Sequence, residues 1–483
     1  MRTLTAVEKW AYAIGNMPYS VKDAAFGSFV VFYYTQVAGL PGSLAGLAMF
    51  LAVSWDAITD PIVGSWSDTV RSRWGRRHPP ILLGGVPFAL LFLALFTPPD
   101  ALGTRGLFLW MLLVSVLLRT FLTIYFIPYS AMGAELSTDY DERTVIAKAR
   151  VTMGWLAGMC MPAIGFLFIF NLRDNGDGRL VAENYVTYGW LSTLVALAGI
   201  LICTWGTRTV IARLPSASPD AAGFSLTATL QDFQSAFGNH NFRVSVGTSL
   251  AFGMAAGVYA TLSMYLATYF WEFSTAQLAG LVVPTAIGTL LAFTVVGRLG
   301  PRYDKTALIG AATLGVAFSA FWFIGLRQFG LLPDNGHPLI YPLQWLNTII
   351  GVLSIASLQI LFVSLLADIL DEHERDTGKR QEGVFFAASA FVNKTTSGVG
   401  SLVAGIVVQL SGIQAGSQPG DVSAQSLSSL GWFTIVIITL LALVAFFFAR
   451  RIRLSRADHQ RLREELGRRA GALAAPGADS PEG

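Results

Sequence analysis

Two carboxylates stand four residues apart in the run Trp55-Asp56-Ala57-Ile58-Thr59-Asp60-Pro61. On a helix, a spacing of i, i+4 puts both on one face, about 6 Å apart. In apolar surroundings two such anions repel, unless one is protonated or a cation lies between them. Oxygen ligands of this kind suit Na⁺ as they suit other hard cations, and Pro61 frees a backbone carbonyl nearby. The chemistry indicated is the binding of a monovalent cation, Na⁺ or H⁺, with no resident metal or organic cofactor. The alternative is that both acids pair structurally with Arg or Lys.

Other polar residues interrupt apolar runs. Lys394 stands alone in Phe391-Val392-Asn393-Lys394-Thr395 and could compensate the two acids as a coupling residue, with a lysine snorkelling to the inner surface as the alternative. Lys22 and Asp23 fall in the first apolar run, and Arg119 lies one turn before Thr123 in the fourth. Asp23 and Arg119 could form an interior pair lining a solute cavity, with a purely structural pair as the equal alternative. Tyr125, Tyr129 and Gln359 are further candidate solute contacts, with plain packing as the alternative for each. The loop carrying Asp68, Arg73, Arg76 and Arg77 is expected to act as a gate. It would lock two halves of the molecule through charge-assisted hydrogen bonds, with partners in 135–150 or 368–380.

These residues need long helices around them. Of 483 residues, 53% are hydrophobic and 13% charged, against roughly a quarter charged in soluble chains. The mean hydropathy is +0.55. Apolar runs are predicted at 9–36, 43–66, 80–97, 106–133, 146–170 and 186–206. A second set follows at 243–271, 277–298, 306–326, 338–366, 385–411 and 428–450. Runs of this length cross a bilayer as helices, because the backbone must satisfy its own hydrogen bonds in lipid. The first run has no cleavage-site pattern and reads as a retained helix. Lys and Arg concentrate on alternate connections, which predicts both termini in the cytoplasm of a plasma-membrane protein.

The chain is expected to divide into a six-helix bundle over 1–206 and a linker over 207–242. A second bundle over 243–450 and a basic tail over 451–483 complete it. Leu226, Leu230, Phe233 and Phe237 are spaced for a short helix within the linker, lying on the inner membrane surface or serving as a plain cytoplasmic connector. Arg450, Arg451, Arg453 and Arg456 suit anionic headgroups, and the tail beyond Gly471 has a disordered composition. The short basic loops after the second helix of each half repeat one another weakly, as in transporters built from repeated halves. Two cysteines, Cys160 and Cys203, make no disulfide framework. The net charge of +3 gives no reason to expect nucleic acid. The histidines fall in polar connections or the tail, and neither a zinc-helix motif nor a nucleophile elbow stands in the spans, so no enzyme is expected.

The run from Trp55 to Gly64, followed by Arg71-Ser72-Arg73-Trp74-Gly75-Arg76, resembles the glycoside–pentoside–hexuronide:cation symporters. This branch of the major facilitator superfamily includes the melibiose–sodium symporters. Phe32-Tyr33-Tyr34-Thr35, Ile127-Pro128-Tyr129-Ser130, Asp139 to Arg150, Ala367-Asp368 and the Lys394 region match as well. The resemblance implies an all-α membrane protein of twelve transmembrane helices in two pseudo-symmetric six-helix bundles. It implies a coupling cation on Asp56, Asp60 and Thr123, with Thr59 where the family often has Asn. It also matches Lys394 and Arg150 to family residues. Ser20 and Phe126 stand where melibiose symporters carry sugar-binding acids. Tyr12-Ala13-Ile14-Gly15 with Pro18-Tyr19 is also similar to the sodium-dependent lysophosphatidylcholine symporters.

The function expected is cation-coupled symport of a small glycoside-type solute by a monomer that alternates access across the lipid bilayer. The substrate-binding residues would be Asp23, Arg119, Phe126, Arg150, Gln359 and Tyr125. The alternatives are symport of a lysophospholipid and, from another class, a non-transporting membrane receptor.

Overall fold

The computed structural model describes residues 3–137, 139–171, 177–214, 234–378 and 381–456, with 458–462, 464, 465 and 468 of the tail. The predicted linker residues Leu226, Leu230 and Phe233, and the tail beyond Gly471, lie outside the described residues. Phe237 is described and packs against Phe242 with ring centroids 5.4 Å apart.

Among the described residues, the main helices form twelve units in sequence. We number them α1 (Ala6–Ile14 and Met17–Ala25, continued to Val37), α2 (Gly42–Thr69), α3 (His78–Leu95), α4 (Thr104–Glu135), α5 (Tyr140–Ile164) and α6 (Ala182–Gly206). Then come α7 (His240–Tyr265), α8 (Thr275–Gly280 and Val282–Leu299), α9 (Lys305–Gln328), α10 (Ile340–Thr377), α11 (Glu382–Leu410) and α12 (Ala424–Ala449). Among the described residues, eleven helices are long and apolar enough to cross a membrane. The first unit is interrupted at Gly15 and Asn16 and by wide π turns at Phe26–Val30 and Tyr33–Val37. It is therefore a chain of short helices rather than one long one.

Side chains start several of these helices where the sequence enters an apolar run. The Asp139 carboxylate accepts from the Glu142 N–H at 2.7 Å, and Asn239 accepts from Phe242 N–H at 2.9 Å. Each satisfies a first-turn donor that lipid could not. Gly378 ends α10 at φ +70°, a left-handed backbone that suits glycine. His78, in a connection that reads as polar, is buried at the head of α3, beside the Thr207 hydroxyl at 2.9 Å.

Helices α1–α6 pack among themselves, as do α7–α12. The main contact between the halves is α2 against α11, and α1 also meets α7. Small residues let α2 and α11 approach: a side chain at Gly405 would strike the Gly42 carbonyl oxygen. One at Gly46 would lie 2.8 Å from the Ser401 carbonyl oxygen. The seam continues through Tyr269 to Gln36 at 2.9 Å, the Thr35 and Tyr265 hydroxyls, and the Gly416 N–H to Gln36 carbonyl bond at 2.8 Å. All of these contacts lie towards the end away from the termini. Among the described residues, the hydrogen bonds between the halves run from there no further than Asp60 and Lys394. Among the described residues, the halves are thus joined at one end and share no hydrogen bond at the end that carries the termini, which we read as the open one.

Candidate functional site

The two carboxylates of α2 stand mid-helix and do not face each other across an empty site. Arg119 on α4 donates from Nη1 to the Asp56 Oδ2 at 2.6 Å. Both side chains are 7% exposed. Lys394 on α11 donates to Asp60 Oδ2, and the Thr123 hydroxyl donates to Asp60 Oδ1 at 3.0 Å. Asp60 and Lys394 are 24% and 32% exposed, so this second pair borders the open part of the bundle. The alternative raised by the sequence, that each acid pairs with a protein cation, is the arrangement found. The Thr59 hydroxyl donates to the Trp55 carbonyl oxygen at 3.2 Å, and among the described residues no hydrogen bond joins it to either carboxylate.

Arg119 is the main correction to the expected cavity. It pairs with Asp56 and lies over the Phe26 ring at 5.0 Å, so the expected Asp23–Arg119 pair does not form. Asp23 is instead held by its neighbour Lys22, whose ammonium sits 4.5 Å from the centre of the Tyr19 ring. Tyr19 stacks on Phe126 at 4.2 Å. A cavity of about 580 Å³ includes Ser20, Asp23, Tyr19, Phe126, Arg150 and Trp155 in its lining. Arg150 donates to the Ser130 hydroxyl at 3.2 Å. Charge, hydroxyl and ring faces are thus offered together, which is the equipment for a polar solute with some apolar surface.

A second cavity of about 340 Å³ lies nearer the closed end and shares Gly158, Met159 and Thr285 with the first. Its wall is largely apolar, with Tyr259, Met264, Trp271 and Phe273, against Gln344 and Asn347 from α10. The sequence reading missed Tyr19 and these α10 residues. Gln344, Asn347 and Thr348 have the i, i+3, i+4 spacing of one helix face, a signal that was present in the sequence. Gln359 lies further along α10 and is exposed, outside the lining of either cavity. Tyr125 is not a solute contact here. It is wholly buried, donates to the Gly15 carbonyl at 2.5 Å and stacks on Tyr129 at 5.7 Å. Tyr129 is likewise buried and donates to the Tyr12 carbonyl.

The charged loop after α2 makes its bonds within its own half. Arg77 pairs with Asp68 at 2.8 Å and with Glu135 at 2.5 Å, and Arg76 pairs with Glu135 at 2.7 Å. Arg73 is exposed. The expected lock between halves is absent at this open end among the described residues. The second half repeats the device: Lys305 pairs with Asp368 at 2.6 Å, and His459 of the tail approaches Asp368 and Asp371.

A sequence model described as "MFS/sugar transport protein" matches residues 11–456. The inner membrane symporter YicJ of Escherichia coli is 24% identical, over 96% of this chain and 95% of its own length. The isoprimeverose transporter of Lactiplantibacillus pentosus is 22% identical, over 91% and 88%. The sodium-dependent lysophosphatidylcholine symporter 1 of Gallus gallus is 26% identical, over 87% and 82%. In fold, the chain is similar to the inward-open xylose transporter XylE of E. coli, with TM-score 0.61 and 13% identity over 95% of this chain and 98% of that one. The twelve helical units, the two halves and a match over nearly the whole length come to one conclusion: this chain belongs to the MFS/sugar transport protein family.

Proposed function

We propose that the chain is a cation-coupled symporter that moves a glycoside-type solute by alternating access in the plasma membrane. Both termini lie in the cytoplasm, and the conformation described above is open to the cytoplasm. The observation that carries this reading is the Asp60–Lys394 pair, with Thr123 on the same carboxylate. It is the one ion pair among the described residues that joins the halves. A rocking movement must break it, and the bared carboxylate then needs another cation. Ion binding and movement are thereby made to depend on each other.

The glycoside reading is supported by Asp23, Arg150, Ser20 and the Tyr19–Phe126 ring pair in one cavity. A carbohydrate takes directed hydrogen bonds along its edge, and its C–H faces lie on rings. The sugar transporter among the relatives agrees with this choice. The apolar second cavity supports a second reading, in which a lysophospholipid places its head near Lys22 and Asp23 and its chain among Tyr259, Trp271 and Phe273.

Phe126→Asp separates the two. It puts a carboxylate against the Tyr19 ring, which costs a chain-bearing ligand on the order of a few kcal/mol and gives a sugar a new acceptor. Thermal stabilisation of purified wild type and variant by glycosides and by lysophosphatidylcholine reads the difference. Stabilisation of the wild type by lysolipid alone, lost in the variant, would replace the glycoside reading with the second.

A further inference from the structure

The charges at the centre of the bundle balance, but the two ion pairs differ in what a movement would do to them. Asp56 and Arg119 belong to the same half, on α2 and α4, two helices that pack against each other. Asp60 and Lys394 belong to different halves. Rocking one half against the other separates Lys394 from Asp60 and leaves Arg119 on Asp56. A guanidinium does not lose its proton in a protein, and this one is buried and lies against Phe26.

We propose that Arg119 is a resident counter-cation that removes Asp56 from the ion site. A single monovalent cation then binds at Asp60 and Thr123, in the place that Lys394 vacates. The inference rests on the cation-coupled reading above. Two carboxylates, a guanidinium and an ammonium sum to zero. A Na⁺ added to that set would leave an uncompensated charge in the middle of the membrane, where charges are costly. Once Lys394 withdraws, one negative charge remains and one cation restores the balance. Asp56 still has an unpartnered, buried Oδ1 among the described residues, so it lacks net charge rather than a lone pair. Arg119 therefore sets the number of ions and their affinity. Without it, the same two acids would hold Na⁺ even with Lys394 in place.

The test uses the purified full-length protein and Na⁺ as probe. NaCl is titrated against choline chloride at constant ionic strength, with unfolding temperature and tryptophan fluorescence as readouts. Arg119→Ser is expected to raise the apparent Na⁺ affinity about tenfold or more, and Arg119→Lys to leave it as in the wild type. Lys394→Met is expected to raise it as well. That gain should persist in an Asp56→Ser/Arg119→Ser background, which removes one charge of each sign and serves also if Arg119→Ser alone does not fold. Unchanged affinity in a folded Arg119→Ser overturns the proposal. Loss of the Lys394→Met gain in the double-serine background overturns it too, because Asp56 would then be an ion ligand. Either failure leaves cation coupling in place. That reading fails instead if Asp60→Asn abolishes no Na⁺ or pH response in any of these proteins.

Discussion

At the scale of single residues, the centre of the bundle is a register problem between two parallel helices. Thr123 meets Asp60, and Arg119 meets Asp56; both steps are 63 residues long. Four residues back along α2 correspond to four residues back along α4. Removing one member of the inner pair leaves the other charge buried and alone, so Arg119→Ala should destabilise the protein by about 3 kcal/mol. An Asp56→Ser/Arg119→Ser pair should recover most of that loss, as read from thermal melts of the three proteins side by side. Asp60→Asn should leave the fold intact, because its partner Lys394 reaches solvent, and should abolish cation-driven accumulation in proteoliposomes. Full accumulation by this variant would rule out Asp60 as the coupling carboxylate. The sequence marked all four side chains as chemically loaded. It assigned Arg119 to Asp23 because composition and spacing place a residue along its own helix and say little about rotation against the next one. With Thr123 beside Asp60, the equal step of four on both helices was the available clue to the Arg119–Asp56 pair.

At the scale of elements, apolar length was easy to read and polar extensions were not. The run at 43–66 became Gly42–Thr69, a difference of a few residues, whereas the run at 338–366 became Ile340–Thr377. The last turns of α10 carry Asp368, Asp371, Glu372 and His373, so they continue the helix beyond its apolar part. That extension lets Asp368 take Lys305, much as Glu135 at the end of α4 takes Arg76 and Arg77. The charged residues at the head of the third helix of each half therefore tie it to the end of the fourth. Glu135→Gln removes the acceptor of two arginines, of which Arg77 is buried. It should loosen the α2–α3 connection without abolishing solute binding at the cavity. Limited proteolysis at 69–77 is expected to quicken at least several-fold in this variant. The same loop at wild-type resistance would mean that Asp68 and Ser67 suffice to hold Arg77.

At the scale of the whole molecule, the bias of Lys and Arg gives an orientation that reporter fusions can check. Fusions after Arg456 and at Val181 should report opposite compartments. Agreement between them would end the arrangement of twelve crossings. Which end of the bundle is closed was not legible in the sequence, because one sequence must support both arrangements of a carrier. The closed end is held by glycine-to-backbone contact along α2 and α11 and by hydrogen bonds among Thr35, Gln36, Tyr265 and Tyr269. Gly405→Ala inserts a methyl against the Gly42 carbonyl. It should shift the population towards the opposite opening, seen as faster alkylation of a Gln36→Cys probe in a Cys160→Ser background. No ion pair crosses this end among the described residues. Among the described residues the seal thus works as a fitted lid rather than a magnetic catch: added salt, which screens charges at a surface, finds no ion pair between the halves there to weaken, and the quantity that decides how firmly it shuts is volume.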